Sequence, residues 1–114
     1  MGSNLDFSVR CANEIDDFWA QPVRNVWTDV PPLRLYIRRS RRLLNDTFYD
    51  NVFDIAVIEV EPEFRGQGYF CSFLEILEQK MKNIFVESIL EPRLFSFLQK
   101  RGYIISGQNA FLVQ

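Results

Sequence analysis

Apolar residues along the chain recur at two spacings, one typical of strands and the other of helices. Residues 52–60 are almost continuously apolar, interrupted by Asp54 and Glu59, as expected for a strand covered on both faces. After Gly68 the apolar residues recur every three or four positions and predict an amphipathic helix. They are Phe70, Phe73, Leu74, Leu77 and Met81. A strand, a glycine-containing turn and a helix therefore form the centre of the chain.

The first thirty residues predict a short strand followed by a helix. Residues 5–10 alternate between apolar and polar and indicate the strand. Asn13 is placed to cap the helix, acidic residues follow in its first turn, and the helix is expected to end before Pro22. The prolines within residues 22–32 leave a short strand and an irregular connection both open.

Residues 33–39 alternate cleanly and predict a half-buried strand that runs into a turn at residues 45–46. This segment and its continuation carry five arginines, Arg34, Arg38, Arg39, Arg41 and Arg42. Two interpretations fit them: a docking surface for an acidic partner or for cofactor phosphates, and a solvated edge strand that charge protects against aggregation. The second interpretation is favoured.

After the central helix, residues 84–90 predict a strand parallel to residues 52–60, because strand, helix and strand in one sense make a right-handed crossover. Pro92 suits the first turn of a further helix and Gly102 its end. Residues 103–113 predict a terminal hairpin. Together these elements predict an α/β (α+β) fold, with a mixed central sheet of about six strands and helices on both faces.

Composition narrows the class of protein. In 114 residues, 47% of them hydrophobic, there is room for one domain, residues 1–114. A net charge of −2 does not favour nucleic acid or membranes, and no apolar run approaches the roughly 20 residues that span a bilayer. The chain has no histidine and two separated cysteines, Cys11 and Cys71, which argues against a metal site and against a Ser-His or Cys-His nucleophile. A reduced, cytoplasmic compartment fits this cysteine usage.

The turn before the central helix is the strongest chemical signal. Residues 65–70 place a Gly-x-Gly turn directly at a helix N-terminus. Unpaired backbone N–H groups and the positive end of the helix dipole favour a phosphate or pyrophosphate there. An ordinary strand-to-helix turn without a ligand is the alternative, since glycine serves many turns.

Residues 60–70 resemble the acyl-CoA pyrophosphate loop of the GNAT superfamily of N-acetyltransferases. The matching residues are Val60, Pro62, Arg65 and Gly68, and the departure is Phe70, where a small residue is usual. Residues 98–103 resemble the end of the short helix that precedes the last strands in that family. The resemblance extends over about residues 33–114.

The resemblance implies acetyl-CoA or another short acyl-CoA as cofactor, and acyl transfer to the amine of a small molecule or a protein. Pantetheine would insert where the central strand and its parallel neighbour splay apart. The implied cofactor-binding residues are Ile58, Val60, Arg65, Gly66, Gln67, Gly68, Tyr69 and Phe70.

Glu59 is the candidate general base, because it lies at the carboxyl end of the central strand near the expected splay. Strict alternation places it on the face of Phe53 and Ile55, where semi-burial would raise its pKa toward neutrality. A surface carboxylate paired with an arginine is the alternative. The family's tyrosine general acid falls on Leu98, which has no proton to give. Ser88, Tyr103, Tyr69 or a water would have to substitute.

A second hypothesis comes from a different class of function. It is a catalytically degenerate GNAT-like domain that binds CoA, a macromolecular partner, or both. The partner would dock on Arg34, Arg38 and Arg41. A homodimer formed through an edge strand is a further hypothesis, because small aromatic-rich domains can pair in this way.

Overall fold

The computed structural model describes residues 4–22, 25–87, 89 and 92–114, which form three helices and one six-stranded mixed sheet. The helices are α1 (Asn4–Ala20), α2 (Tyr69–Lys80) and α3 (Pro92–Lys100). The strands are β1 (Asn25–Val30), β2 (Leu33–Leu44), β3 (Thr47–Val60), β4 (Asn83–Val86), β5 (Ile104–Ser106) and β6 (Asn109–Val113). Their order is β1-β2-β3-β4-β6-β5, and β3 and β4 run parallel. The α/β class, the mixed sheet and the parallel pair are confirmed.

The first segment is one continuous helix and not a strand followed by a helix. The buried residues of α1 are spaced by four, four and three positions, and they are Phe7, Cys11, Ile15 and Phe18. Val9, which the alternation placed beside Phe7, is 51% exposed. Asn13 lies within α1 and does not cap it. The prediction was wrong because an alternation as short as residues 5–10 also fits the start of a helical stripe.

The proline-rich segment left open by the sequence contains β1, which pairs along its whole length with the first half of β2. Among the described residues, β2 pairs with both β1 and β3 as far as Arg38 and with β3 alone beyond it, so only its second half fits the predicted edge strand. The predicted turn at Asn45 and Asp46 is confirmed, with φ of 50° and 65°. Two consecutive positive φ angles suit a two-residue hairpin turn.

The core lies on one face of the sheet. Buried residues of all three helices join a single cluster with sheet residues that pair across the strands, for example Ile37 with Ile55 and Ile55 with Val86. Because directly paired residues share a face, these contacts put the described helices on the same face. This differs from the predicted placement on both faces. β3 is buried on its other face as well, by long side chains and not by a helix, since Val52 and Asp54 have no exposed surface there.

The second face is called the helix-free face below. It carries the side chains of Tyr36, Arg38 and Arg42 from β2, of Phe85 from β4 and of Phe111 from β6. Within the described ranges, none of the helices is long and apolar enough to cross a membrane.

Candidate functional site

The glycine turn forms the predicted strand-to-helix connection. A short 3₁₀ turn, Pro62–Phe64, follows β3, and Gly66 and Gly68 then adopt φ of 75° and 84°, a conformation that side-chain-bearing residues rarely take. Gly68 is the N-cap of α2, and no side chain bonds to the cap. The first backbone N–H groups of α2 have no intrahelical acceptor, so they are available to an anion.

Side chains of the turn hold it against the end of β3. The Arg65 Nε donates to the Val60 carbonyl at 3.2 Å, and the Gln67 Nε2 donates to the Glu63 carbonyl at 2.9 Å. Phe70, the departure from the family pattern, is buried and its ring stacks on Phe73 at 6.4 Å. Its side chain therefore points into the core, and its backbone N–H remains at the start of the helix.

The parallel strands separate shortly after they pair. Their register covers Phe53 with Ile84 through Ile55 with Val86, and a last bond joins the Glu87 N–H to the Ile55 carbonyl at 3.0 Å. The Ile89 N–H then donates to the Gln108 carbonyl at 2.7 Å, in the turn between β5 and β6. Residues 56–60 continue β3 without a described partner on the β4 side. This opening is called the splay below, and Ile58 and Val60 lie along it.

A bulge in β3 changes the face on which Glu59 lies. Tyr36 pairs with Val57 but the next residue, Ile37, pairs with Ile55, so Ala56 is an additional residue in β3. Glu59 consequently lies on the helix-free face opposite Arg34, and not on the face of Ile55 as strict alternation predicted. It is also exposed and not half-buried. The prediction was wrong on both points because one inserted residue reverses the alternation.

The substitutes for a general acid do not gather at the splay. The Tyr103 hydroxyl is buried and donates to the Glu78 carboxylate at 2.8 Å, beneath the C-terminal half of α2. Burial raises the pKa of Tyr103, and the hydrogen bond to Glu78 raises it further. Leu98 has no exposed surface and belongs to the core. Tyr69 packs edge-on against Phe7 at 5.1 Å. Ser88 lies outside the described residues.

A network of ion pairs, which the sequence did not indicate, joins three strands just before the splay. Asp54 has no exposed surface and accepts from Arg38 at 3.3 Å, from the Ser40 hydroxyl at 3.2 Å and from Arg42. The same two arginines reach Glu87, Arg42 at 2.8 Å. The sequence alone could not place Asp54 beside Arg38 and Arg42, because that placement depends on the register between β2 and β3.

The remaining arginines of β2 also have partners within the chain. Arg34 pairs with Asp29 at 3.6 Å, and Arg41 pairs with Asp50 at 3.2 Å. The Arg39 guanidinium lies 3.8 Å from the centre of the Trp19 ring. The side chains proposed as a docking surface therefore do not form one unpaired cationic patch. Among the described residues, no group of three or more Cys, Asp or Glu is placed to hold a metal ion.

These features define an α/β protein with a glycine turn at the N-terminus of α2, after the end of β3, and a splay along residues 56–60. No protein-family model matches the chain, and no curated protein is similar to it in sequence.

Proposed function

We propose that this protein binds acetyl-CoA or another short acyl-CoA and transfers its acyl group to an amine, as GNAT proteins do. The observation that carries the proposal is that the glycine turn and the splay adjoin the same segment, residues 56–60. Five strand residues extend over about 16 Å. An extended thioester arm lying along them would keep its pyrophosphate at the turn.

The pyrophosphate and the thioester arm of the cofactor would bind to different groups of the protein. The backbone N–H groups of residues 67–70 would take the pyrophosphate, with Arg65 adding positive charge. Backbone groups of Ile58 and the N–H of Val60 on the open side of β3 would bond the arm, as a neighbouring strand would, while the Val60 carbonyl accepts from Arg65.

Calorimetry with acetyl-CoA and CoA tests the binding. Gly68→Glu adds a negative charge where the pyrophosphate would lie, and we expect it to weaken binding at least tenfold. Gly107→Glu is the matched control, because Gly107 also has a positive φ, 61°, and space around its Cα, but it lies in the β5–β6 turn. Absence of binding to wild-type protein at millimolar ligand would refute the cofactor.

Acyl transfer requires a neutral amine, a donor to the tetrahedral oxyanion and a proton for the departing thiolate. Glu59 is the described carboxylate nearest to the splay on β3, and it would take the proton from the amine. Leu98 has no proton to give and Tyr103 is bound to Glu78, and loss of a general acid costs about 10² to 10⁴ in rate. The proposed transfer is therefore slow.

Steady-state turnover against a panel of amines and peptides tests this step. Glu59→Gln should lower kcat at neutral pH, whereas Glu63→Gln, a change of the same kind at an exposed residue of the turn, should not. The second candidate function is CoA binding without turnover. It is favoured by the burial of Leu98 and by the bond that holds Tyr103 to Glu78. Cofactor binding with no modified acceptor would establish that second function.

A further inference from the structure

A groove of about 480 Å³ lies between the end of the β2–β3 hairpin and the strands β4, β5 and β6, within the size range of sites that hold small molecules. Its described lining comes from β2 to β6, and includes no residue of the glycine turn. Phe85 and Phe111 face each other across β4 and β6, with ring centres 5.5 Å apart. The groove is therefore separate from the proposed cofactor site.

Exposed apolar side chains surround this groove. Leu43, Phe48 and Ile104 all line it and are between 46% and 57% exposed. Single exposed apolar residues are common on protein surfaces, but their concentration around one concavity is typical of a binding site. The hairpin of β2 and β3 provides one wall and the short β5 provides the other. A flat apolar molecule fits between walls of this composition.

The charged side chains among the described lining residues are both cationic, Arg41 and Arg42. Arg42 is bound to Asp54 and Glu87 beneath the groove. Arg41 differs, because its side chain is 62% exposed and its partner Asp50 is 72% exposed. An ion pair this exposed contributes little, so another carboxylate can replace Asp50 at low cost.

We propose that this groove binds an aromatic carboxylate, with the ring against Phe48, Phe85 and Phe111 and the carboxylate on Arg41. A planar guanidinium can donate two parallel hydrogen bonds to a carboxylate. An aromatic amine would instead meet two arginines without a described acidic residue in the lining. This site goes beyond the proposed acyl-CoA function and does not depend on it.

Calorimetry with three naphthalenes of the same shape tests the chemistry: 2-naphthoate, 2-naphthylmethanol and 2-naphthylmethylamine. We expect the carboxylate to bind about tenfold more tightly than the alcohol, and the amine to bind most weakly. Arg41→Gln should reduce the affinity for the carboxylate to that for the alcohol. Arg34→Gln is the matched control, because Arg34 is likewise an exposed arginine of β2 that pairs with an aspartate and lies over an aromatic ring, Trp27, as Arg41 lies over Phe48.

The ring contacts are tested separately with Phe48→Ser, which should weaken all three ligands, and with Trp27→Ser as an exposed aromatic control. Amide chemical shifts in NMR spectra would report whether each variant remains folded. The proposal is overturned if no probe binds at millimolar concentration, if alcohol and carboxylate bind equally to wild-type protein, or if Arg34→Gln has the effect expected of Arg41→Gln. A dimer in sedimentation that Phe48→Ser dissociates would also overturn it, because a second copy would then fill the groove.

Discussion

Asp54 lies in the middle of β3 with no exposed surface, and two arginines of the neighbouring strand reach its carboxylate. Removing the charge of this buried carboxylate leaves both arginines to share the carboxylate of Glu87. Asp54→Asn should therefore lower the free energy of unfolding by about 3 to 5 kcal/mol. Urea denaturation would measure the change. Asp50→Asn breaks an exposed pair with Arg41 and should cost no more than about 1 kcal/mol. Equal losses would contradict the assigned role of burial.

Tyr103 was a candidate to replace the general acid, but it is buried and its hydroxyl donates to the Glu78 carboxylate. Its folded-state pKa is raised by burial and by the bond to Glu78. An acid whose pKa is raised in the folded state contributes stability that is complete below its unfolded pKa, about 10, and declines as the pH rises above it. Unfolding free energy measured from pH 9 to pH 11 should fall less steeply for Tyr103→Phe than for wild-type protein. Equal slopes for the two proteins would contradict this prediction.

At the scale of elements, α1 replaces the strand that was predicted for residues 5–10. If the segment were a strand, Phe7 and Val9 would lie on the same buried face. In the helix, Phe7 is buried and Val9 is exposed. Phe7→Ala should cost about 3 to 5 kcal/mol of unfolding free energy, whereas Val9→Ala should change it by less than about 0.5 kcal/mol. Thermal and urea denaturation of the two variants would show the difference. Similar losses of unfolding free energy would favour the strand prediction over the helix.

The central strand was recognisable from its apolar run, but its geometry was not. The additional residue at Ala56 leaves no mark in the amino-acid pattern, because Ala and its apolar neighbours fit either face. Its effects are large: it reverses the side on which Glu59 lies, and it occurs where β4 separates from β3. The glycine turn was predictable because glycine, proline and helix periodicity are local signals, whereas the face on which Glu59 lies depended on the register between β2 and β3.

For the molecule as a whole, one core cluster joins all three helices to the sheet. A domain with a single core is expected to unfold in one cooperative transition. Far-UV circular dichroism and tryptophan fluorescence should therefore give the same urea midpoint, since Trp19 packs against the core and Trp27 lies on the helix-free face. Two separated midpoints would contradict this. Leu98 belongs to that core without exposed surface, so Leu98→Tyr would overpack it and is unsuitable for restoring a general acid.

Features governed by neighbouring residues were readable along the chain: the α2 stripe, the Gly102 end of α3, the Asn45–Asp46 turn and the strand–turn–helix unit. Each depends on φ preferences or on apolar spacing within one segment, which are properties of the residues themselves. Features governed by distant residues needed the folded chain. The side of Glu59, the single helix-covered face and the network that joins Asp54 to Glu87 all follow from how β2, β3 and β4 align. That alignment is set by contacts between segments up to 49 residues apart, such as Arg38 with Glu87, which no local pattern encodes.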